Sequence, residues 1–157
     1  MNASVPRYKI PRSVLVVIHT PELKVLMMER AGWPGFWQSV TGSLDREDEP
    51  LREVAIREVR EETGIDATRH VLEDWGMESD FEIFARHRHR YAPEVTHNRE
   101  HVFSLVVPEE VSVTLAQDEH SRYRWMPQAE AAAITMSWTN RDAILALGTR
   151  PARGPRG

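Results

Sequence analysis

Gly42-Ser43-Leu44-Asp45-Arg46-Glu47-Asp48-Glu49-Pro50-Leu51-Arg52-Glu53-Val54-Ala55-Ile56-Arg57-Glu58-Val59-Arg60-Glu61-Glu62-Thr63-Gly64-Ile65 is the stretch on which the fold turns. Within it Leu51, Val54, Ala55 and Val59 recur at spacings that put apolar groups on one face of a helix. Pro50 suits the first helical turn, where its missing N–H costs little. Asp48 and Glu49 place negative charge at the positive end of the helix dipole, and Gly64 stands where a left-handed residue commonly closes a helix. Glu58, Glu61 and Glu62 are related by i, i+3 and i, i+4, so all three carboxylates are expected on one stripe. Like charges so placed cost an isolated helix about 0.2–0.5 kcal/mol per pair. A divalent cation reverses that cost, and Mg²⁺ prefers hard oxygen ligands. Plain solvent exposure also produces Glu-rich faces, with Arg57 and Arg60 as surface partners of little value. Taken alone, Glu-x-x-Glu-Glu does not make a site.

On the N-terminal side, Ser13 to Ile18 reads as a buried strand and Lys24 to Met28 as a second, joined by the turn-like His19-Thr20-Pro21-Glu22 into a hairpin. Residues 31–36 form a loop, and Trp37 to Thr41 a short strand ending at Gly42. On the C-terminal side, Val71 to Met77, Phe81 to Tyr91 and His101 to Val107 are predicted strands, with shorter ones at Val111 to Leu115 and Tyr123 to Met126. Gln128 to Ile134 and Asn140 to Leu147 are predicted helices. This order argues for an α/β fold with a mixed sheet between helices rather than a regular βαβ repeat.

A chain of 157 residues fits one domain, expected over residues 1–147, with the Gly-, Pro- and Arg-rich residues 148–157 as a disordered tail. Net charge of −4 argues against the chain as a whole acting as an electrostatic magnet for nucleic acid. The absence of cysteine excludes disulfides and thiolate metal sites. No apolar run is long enough to cross a bilayer and the N-terminus lacks a signal-peptide pattern, so a cytoplasmic protein without a membrane partner is expected. Nothing in the sequence specifies the oligomeric state.

The segment from Glu49 onward resembles the Nudix box. Glu49 is followed by seven residues, then Arg57-Glu58, an aliphatic residue, any residue, Glu61-Glu62, any residue, Gly64 and an aliphatic residue. One departure stands out: six residues, where the motif has five, separate Gly42 from Glu49. The extra residue falls in the Asp45–Asp48 loop, where an insertion costs little. The resemblance implies the Nudix α/β/α sandwich with its loop-helix-loop, and metal-dependent hydrolysis of a diphosphate linked to another moiety. It makes Glu58 and Glu62 metal ligands, and Glu61 a further ligand or the base that activates water. Arg57 and Glu49 would orient the site, Gly42 would bring backbone close to the metal, and the cofactor would be Mg²⁺, with Mn²⁺ as a substitute.

Much of the rest is similar to one Nudix branch, which acts on dihydroneopterin triphosphate in folate biosynthesis. Phe36-Trp37-Gln38-Ser39-Val40-Thr41-Gly42-Ser43, Phe81-Glu82-Ile83-Phe84, Arg88-His89-Arg90-Tyr91-Ala92-Pro93 and Ser137-Trp138-Thr139-Asn140-Arg141 carry this similarity. It implies that Lys9, Arg30, Thr41, Phe81, Glu82, Ile83, Phe84, Arg88 and Ser137 line a substrate site, and that Glu119 supplies one more metal ligand, with Asp118 adjacent. On a strand, Arg86, Arg88 and Arg90 would share one side, opposite His87, His89 and Tyr91. Such cations suit phosphate oxygens, but equally suit a charged sheet edge. Three other functions stand beside this one: a Nudix hydrolase of nucleoside triphosphates or modified nucleotides, a fold-only binding module, and an RNA-decapping enzyme. Retention of Glu58, Glu61 and Glu62 speaks against the second, and the lack of an extended basic stripe against the third.

Overall fold

Val14 to Ile18 offers water no polar face, and the fold buries this strand on both sides. In the computed structural model, which describes residues 7–149, it is the centre of strand β1 (Arg12–His19). The expectation of a disordered tail falls, from residue 150 onward, outside the described residues. The remaining strands are β2 (Lys24–Arg30), β3 (Trp37–Gln38), β4 (Val40–Ser43), β5 (Val71–Glu82), β6 (His97–Val106) and β7 (His120–Pro127). They form one mixed sheet in the order β3-β2-β1-β6-β5, with β4 against β1 and β7 against β2. Among the described strands only β1 and β6 pair with each other in parallel, and Trp37 of β3 makes an isolated parallel bridge to Thr135.

Alternation along β1 divides the core. Val14, Val16 and Ile18 pack with Val54, Ala55 and Val59 of helix α1 (Leu51–Thr63) on one side. Leu15 and Val17 pack on the other with Ala131, Ala132, Ala143 and Ile144. Those four come from helices α2 (Gln128–Ile134) and α3 (Trp138–Ala146). The result is the expected helix–sheet–helix sandwich. Among the described residues no helix is long and apolar enough to cross a membrane.

Several elements differ from expectation. Pro50 is the N-cap of α1 rather than its first residue, and Gly64 closes the helix with φ 77°. The segment expected as a strand from Phe81 to Tyr91 is divided: Phe81 and Glu82 end β5, and Ala85–Arg90 form a 3-10 helix. The alternating Arg and His therefore do not sort onto two sides of a strand. At three residues per turn, Phe84, His87 and Arg90 share a face instead. Val111 to Leu115 forms no strand. Its apolar residues pack against the α1-side core, and its backbone is tied by Thr114 N–H to Thr63 O at 2.9 Å and by Trp125 Nε1–H to Val111 O at 3.2 Å. An alternating pattern records burial of every second residue, and a loop clamped on a core satisfies it as well as a ladder does. Strand β6 begins at His97, four residues before its expected start, which brings Asn98 and Glu100 into the sheet.

Candidate active site

The site lies over the beginnings of β1 and β6, where β4 delivers Gly42 beside α1. The register Val14↔Gly42 and Ser13↔Ser43 holds β4 on the buried central strand. Gly42 is required by proximity: a Cβ there would overlap the Glu58 carboxyl. Behind it, Arg57 locks loop to helix. Its Nε donates to Glu49 Oε2 at 3.1 Å, its Nη2 to Glu49 Oε1 at 3.0 Å, and its Nη1 to Glu58 Oε2 at 2.9 Å. Glu49 Oε1 also accepts from Asp45 N–H at 2.8 Å, and Glu49 N–H from the other end of the loop donates to Arg46 O at 3.1 Å. The residue added to the loop is thus absorbed in a turn that closes on Glu49. Although burial opposes it, the Arg57 bonds hold the Glu49 carboxyl below the ordinary carboxylate value.

The acidic stripe is narrower than its spacing suggests. Glu58 and Glu62 are buried, whereas the Glu61 side chain is 55% exposed, with an oxygen 3.8 Å from Arg57 Nη1. Successive residues advance by about 100° around a helix, so Glu61 and Glu62 leave it in different directions. Glu58 and Glu62 stand close enough that each shifts the titration of the other. Burial, then Glu61, pushes Glu58 up to about 7; burial, then Glu58 and Glu119, raises Glu62. Glu62 Oε1 is buried without a hydrogen-bond partner among the described residues. Next to it His120 is buried, its Nε2 3.9 Å from that oxygen. Burial pushes the ring down to about 4, so it is neutral and makes no ion pair.

Two adjoining cavities open here. One, of about 330 Å³, is lined by Glu58, Glu62, Asp118, Glu119 and His120. The other, of about 350 Å³, is lined by Phe36, Phe81, Glu82, Ile83, Phe84, Ser137, Trp138, Asn98 and Glu100. Lys9, Arg30, Gln38, Thr41, Gly42, Ser43 and Arg90 border both. The cations crowd one another. Lys9, though partly solvated, is held below its ordinary value by desolvation and by Arg90 and Arg30, and Arg30 by burial and Arg90. Most of the sequence-derived substrate residues therefore meet on one surface. Arg88 does not: it lines neither cavity, and Arg90 stands there instead, because of the 3-10 geometry. Glu61 lines neither cavity either. Ser137 has a second task, its Oγ accepting from Asn140 N–H to cap α3 at 3.3 Å. Glu100, Asn98 and His87 were missed. Polar residues ahead of an apolar strand read as loop, and only the strict alternation Asn98, Glu100, Val102, Ser104 hints that β6 extends to them.

The donor set fits a hard divalent cation. Two facing carboxylates, an orphaned buried carboxylate oxygen and Glu119 beside them are what such an ion stabilises. Among the described residues no three or more His, Asp or Glu side chains are grouped to hold a metal ion by themselves; a hard cation of this kind usually draws further ligands from water and substrate phosphates.

A family model described as NUDIX domain matches residues 9–147. The chain belongs to the Nudix family. Dihydroneopterin triphosphate diphosphatase of Escherichia coli (strain K12) is 48% identical over 140 residues, covering 87% of this chain and 91% of that protein. The Haemophilus influenzae protein of the same name is 40% identical over 141 residues, covering 88% and 87%. The solved structure of the E. coli dihydroneopterin triphosphate pyrophosphohydrolase superposes with a TM-score of 0.84 at 46% identity, covering 89% of this chain and 96% of that one. Nudix hydrolases generally use divalent metal ions, and Arg57, Glu58, Glu61, Glu62 and Gly64 here occupy the motif's positions.

The raised carboxylates of this Nudix site have a measurable consequence. Glu58, Glu62 and Glu100 all sit above the ordinary 4.5, Glu58 and Glu100 at about 7. Above pH 4.5 these three carboxylates bind more protons in the folded than in the unfolded state, so their contribution is present in acid and is lost as pH rises through about 7. The depressed carboxylates Glu29 and Glu49 act in the opposite sense on the acid side of 4.5, and the depressed imidazoles of His19, His87 and His120 do so below 6.5. Without metal or ligand, the melting temperature should therefore be lower at about pH 8.5 than at about pH 7, above both windows. Adding a divalent cation at the higher pH should recover much of the loss. A flat metal-free profile would contradict the assigned burial.

Proposed function

We propose that this Nudix chain is a metal-dependent pyrophosphohydrolase that converts dihydroneopterin triphosphate to dihydroneopterin monophosphate and pyrophosphate, in the cytoplasm, with Mg²⁺ as the resident ion and Mn²⁺ able to replace it. One observation carries the reading: the cations Lys9, Arg30 and Arg90 stand between a chamber with acidic walls and a chamber with aromatic walls. A flat ring joined to a triphosphate fits that division, with the ring against Phe36, Phe84 and Trp138 and the phosphates across the cations toward Glu58 and Glu62. The two relatives named for this diphosphatase activity support the same substrate.

In this reading Glu58 and Glu62, with Glu119, hold the cation, and Gly42 leaves room for the Glu58 carboxyl. When bound, the ion neutralises phosphate oxygens and acidifies the attacking water. Arg57 holds Glu58 in position through Nη1, and through Glu49 it fixes the loop in front of the helix. Lys9, Arg30 and Arg90 neutralise the chain of phosphates, and the mutual repulsion that, after desolvation by burial, lowers Lys9 and Arg30 is relieved by an anion. Thr41 and Ser137 donate hydroxyls at the boundary and at the ring. Glu61, exposed beside Arg57 and outside both cavities, adds negative charge next to Glu58.

Turnover of dihydroneopterin triphosphate measured beside the common nucleoside triphosphates tests this function. The pterin substrate should have the highest kcat/KM, and pyrophosphate should be released with no orthophosphate. A nucleotide preferred by a wide margin, or orthophosphate as the product, would overturn it.

A further inference from the structure

Glu100 is 3% exposed, yet it lines the aromatic chamber, and its Oε1 finds no hydrogen-bond partner among the described residues. Two residues before it on the same face of β6, Asn98 is 2% exposed, and its Oδ1 is likewise without a partner. The Asn98 amide N–H is already committed, donating to Ser13 Oγ at 2.7 Å. The neighbouring donors leave both oxygens without a partner. Asn140 Nδ2 donates to Ser39 Oγ at 3.0 Å, and the Ser137 and Thr139 hydroxyls meet at 3.0 Å. Thr139 reaches Glu100 but leaves Oε1 unsatisfied. Buried acceptors left unpaired are costly unless something in the cavity supplies donors. Neither residue belongs to the cavity that holds Glu58 and Glu62, so the phosphate chemistry does not account for them.

The complement of two inward-facing acceptors is a ligand edge made only of donors. In a 2-amino-4-oxo heterocycle, a ring N–H lies next to an exocyclic amino group and presents such an edge to a carboxylate. An adenine edge alternates donor and acceptor, so its ring nitrogen would meet Glu100 lone pair to lone pair. We propose that Glu100, assisted by Asn98, is the specificity-determining residue of this site, reading the N–H and amino donors of a 2-amino-4-oxo ring. This deepens the function proposed above, on which it rests for the placement of the ring. It also predicts that guanine is the nucleobase the chamber tolerates best, because guanine carries the same donor edge.

GTP and ITP differ only in the 2-amino group, so their ratio isolates the contact. In wild type, kcat/KM for GTP should exceed that for ITP by at least about tenfold. In Glu100→Gln the ratio should fall to within about threefold, through KM rather than kcat, and KM for ATP should fall because the new amide can donate to the adenine ring nitrogen. Glu100→Asp, which keeps the charge, should restore part of the gap. Binding of dihydroneopterin itself, without phosphates or metal, should weaken at least about tenfold in Glu100→Gln. If Glu100→Gln does not fold, Asn98→Ala carries the same comparison with a smaller drop. An unchanged GTP/ITP ratio and unchanged dihydroneopterin binding in the variant would overturn the assignment, even if dihydroneopterin triphosphate proves to be the preferred substrate. A ratio that collapses in the variant while wild type rejects dihydroneopterin triphosphate would uphold it and reject the pterin substrate. Wild type indifferent to the 2-amino group would reject it outright.

Discussion

Glu62→Gln should lower kcat by about 10³-fold while leaving the metal-free protein at least as heat-stable as wild type. The two effects have one cause. Glu62 is 2% exposed, faces Glu58 and leaves an oxygen unsatisfied, so without a cation its charge is a liability to the fold. Glutamine keeps the shape, removes the repulsion and can donate to Glu58. It loses the anionic oxygen that would hold the metal, so the stabilisation gained on adding Mg²⁺ should also disappear. Most substitutions at buried polar sites cost stability, which makes the opposite sign diagnostic. Steady-state kinetics and thermal melts with and without Mg²⁺ check both halves. Activity within tenfold of wild type, or a melting temperature several degrees lower without metal, would be incompatible with a cation-binding pair.

Gly42→Ala should be nearly as damaging to activity through a single methyl group. The added carbon overlaps the end of the Glu58 side chain rather than backbone. The fold escapes cheaply by swinging that carboxyl aside, so stability should change by about 1 kcal/mol or less, at the low end for overpacked sites. The displaced carboxyl loses its 2.9 Å bond to Arg57 Nη1 and its place opposite Glu62. Misplacement by about 1 Å costs on the order of 10²-fold in rate, and a loss of at least that size is expected. Paired urea titrations and kinetics separate this from unfolding. A variant of normal activity would mean that Glu58 does not need its present position.

Much of this architecture was legible in the residues because the signals were local and strong. The unbroken apolar run in β1 has no alternative to double burial, and the 3.6-residue period of α1 comes with its own stop at Gly64. The acid pair was legible through the spacing of Glu58 and Glu62, though spacing alone could not show that Glu61 remains at the surface. Illegible were features created by tertiary context. Ala85–Arg90 alternates like a strand, yet it coils because Ile83 and Phe84 are drawn into the core and cavity wall while Tyr91 N–H closes back on Arg88 O. That turn exchanges Arg88 for Arg90 at the boundary of the two cavities. Glu100 was hidden for a related reason: a carboxylate at the start of a strand reads as solvent-facing, and only the parallel pairing of β6 with β1 at Ser13↔Glu100 carries it inside.

Titration of the protein with Mn²⁺, followed by the loss of the free-ion electron paramagnetic resonance signal, tests most directly whether Glu58 and Glu62 hold the ion. Tight uptake by the wild-type chain, weakened at least about tenfold in both Glu58→Gln and Glu62→Gln at unchanged fold, is the predicted result. Equal uptake by wild type and by the double variant would place the metal elsewhere and contradict the account.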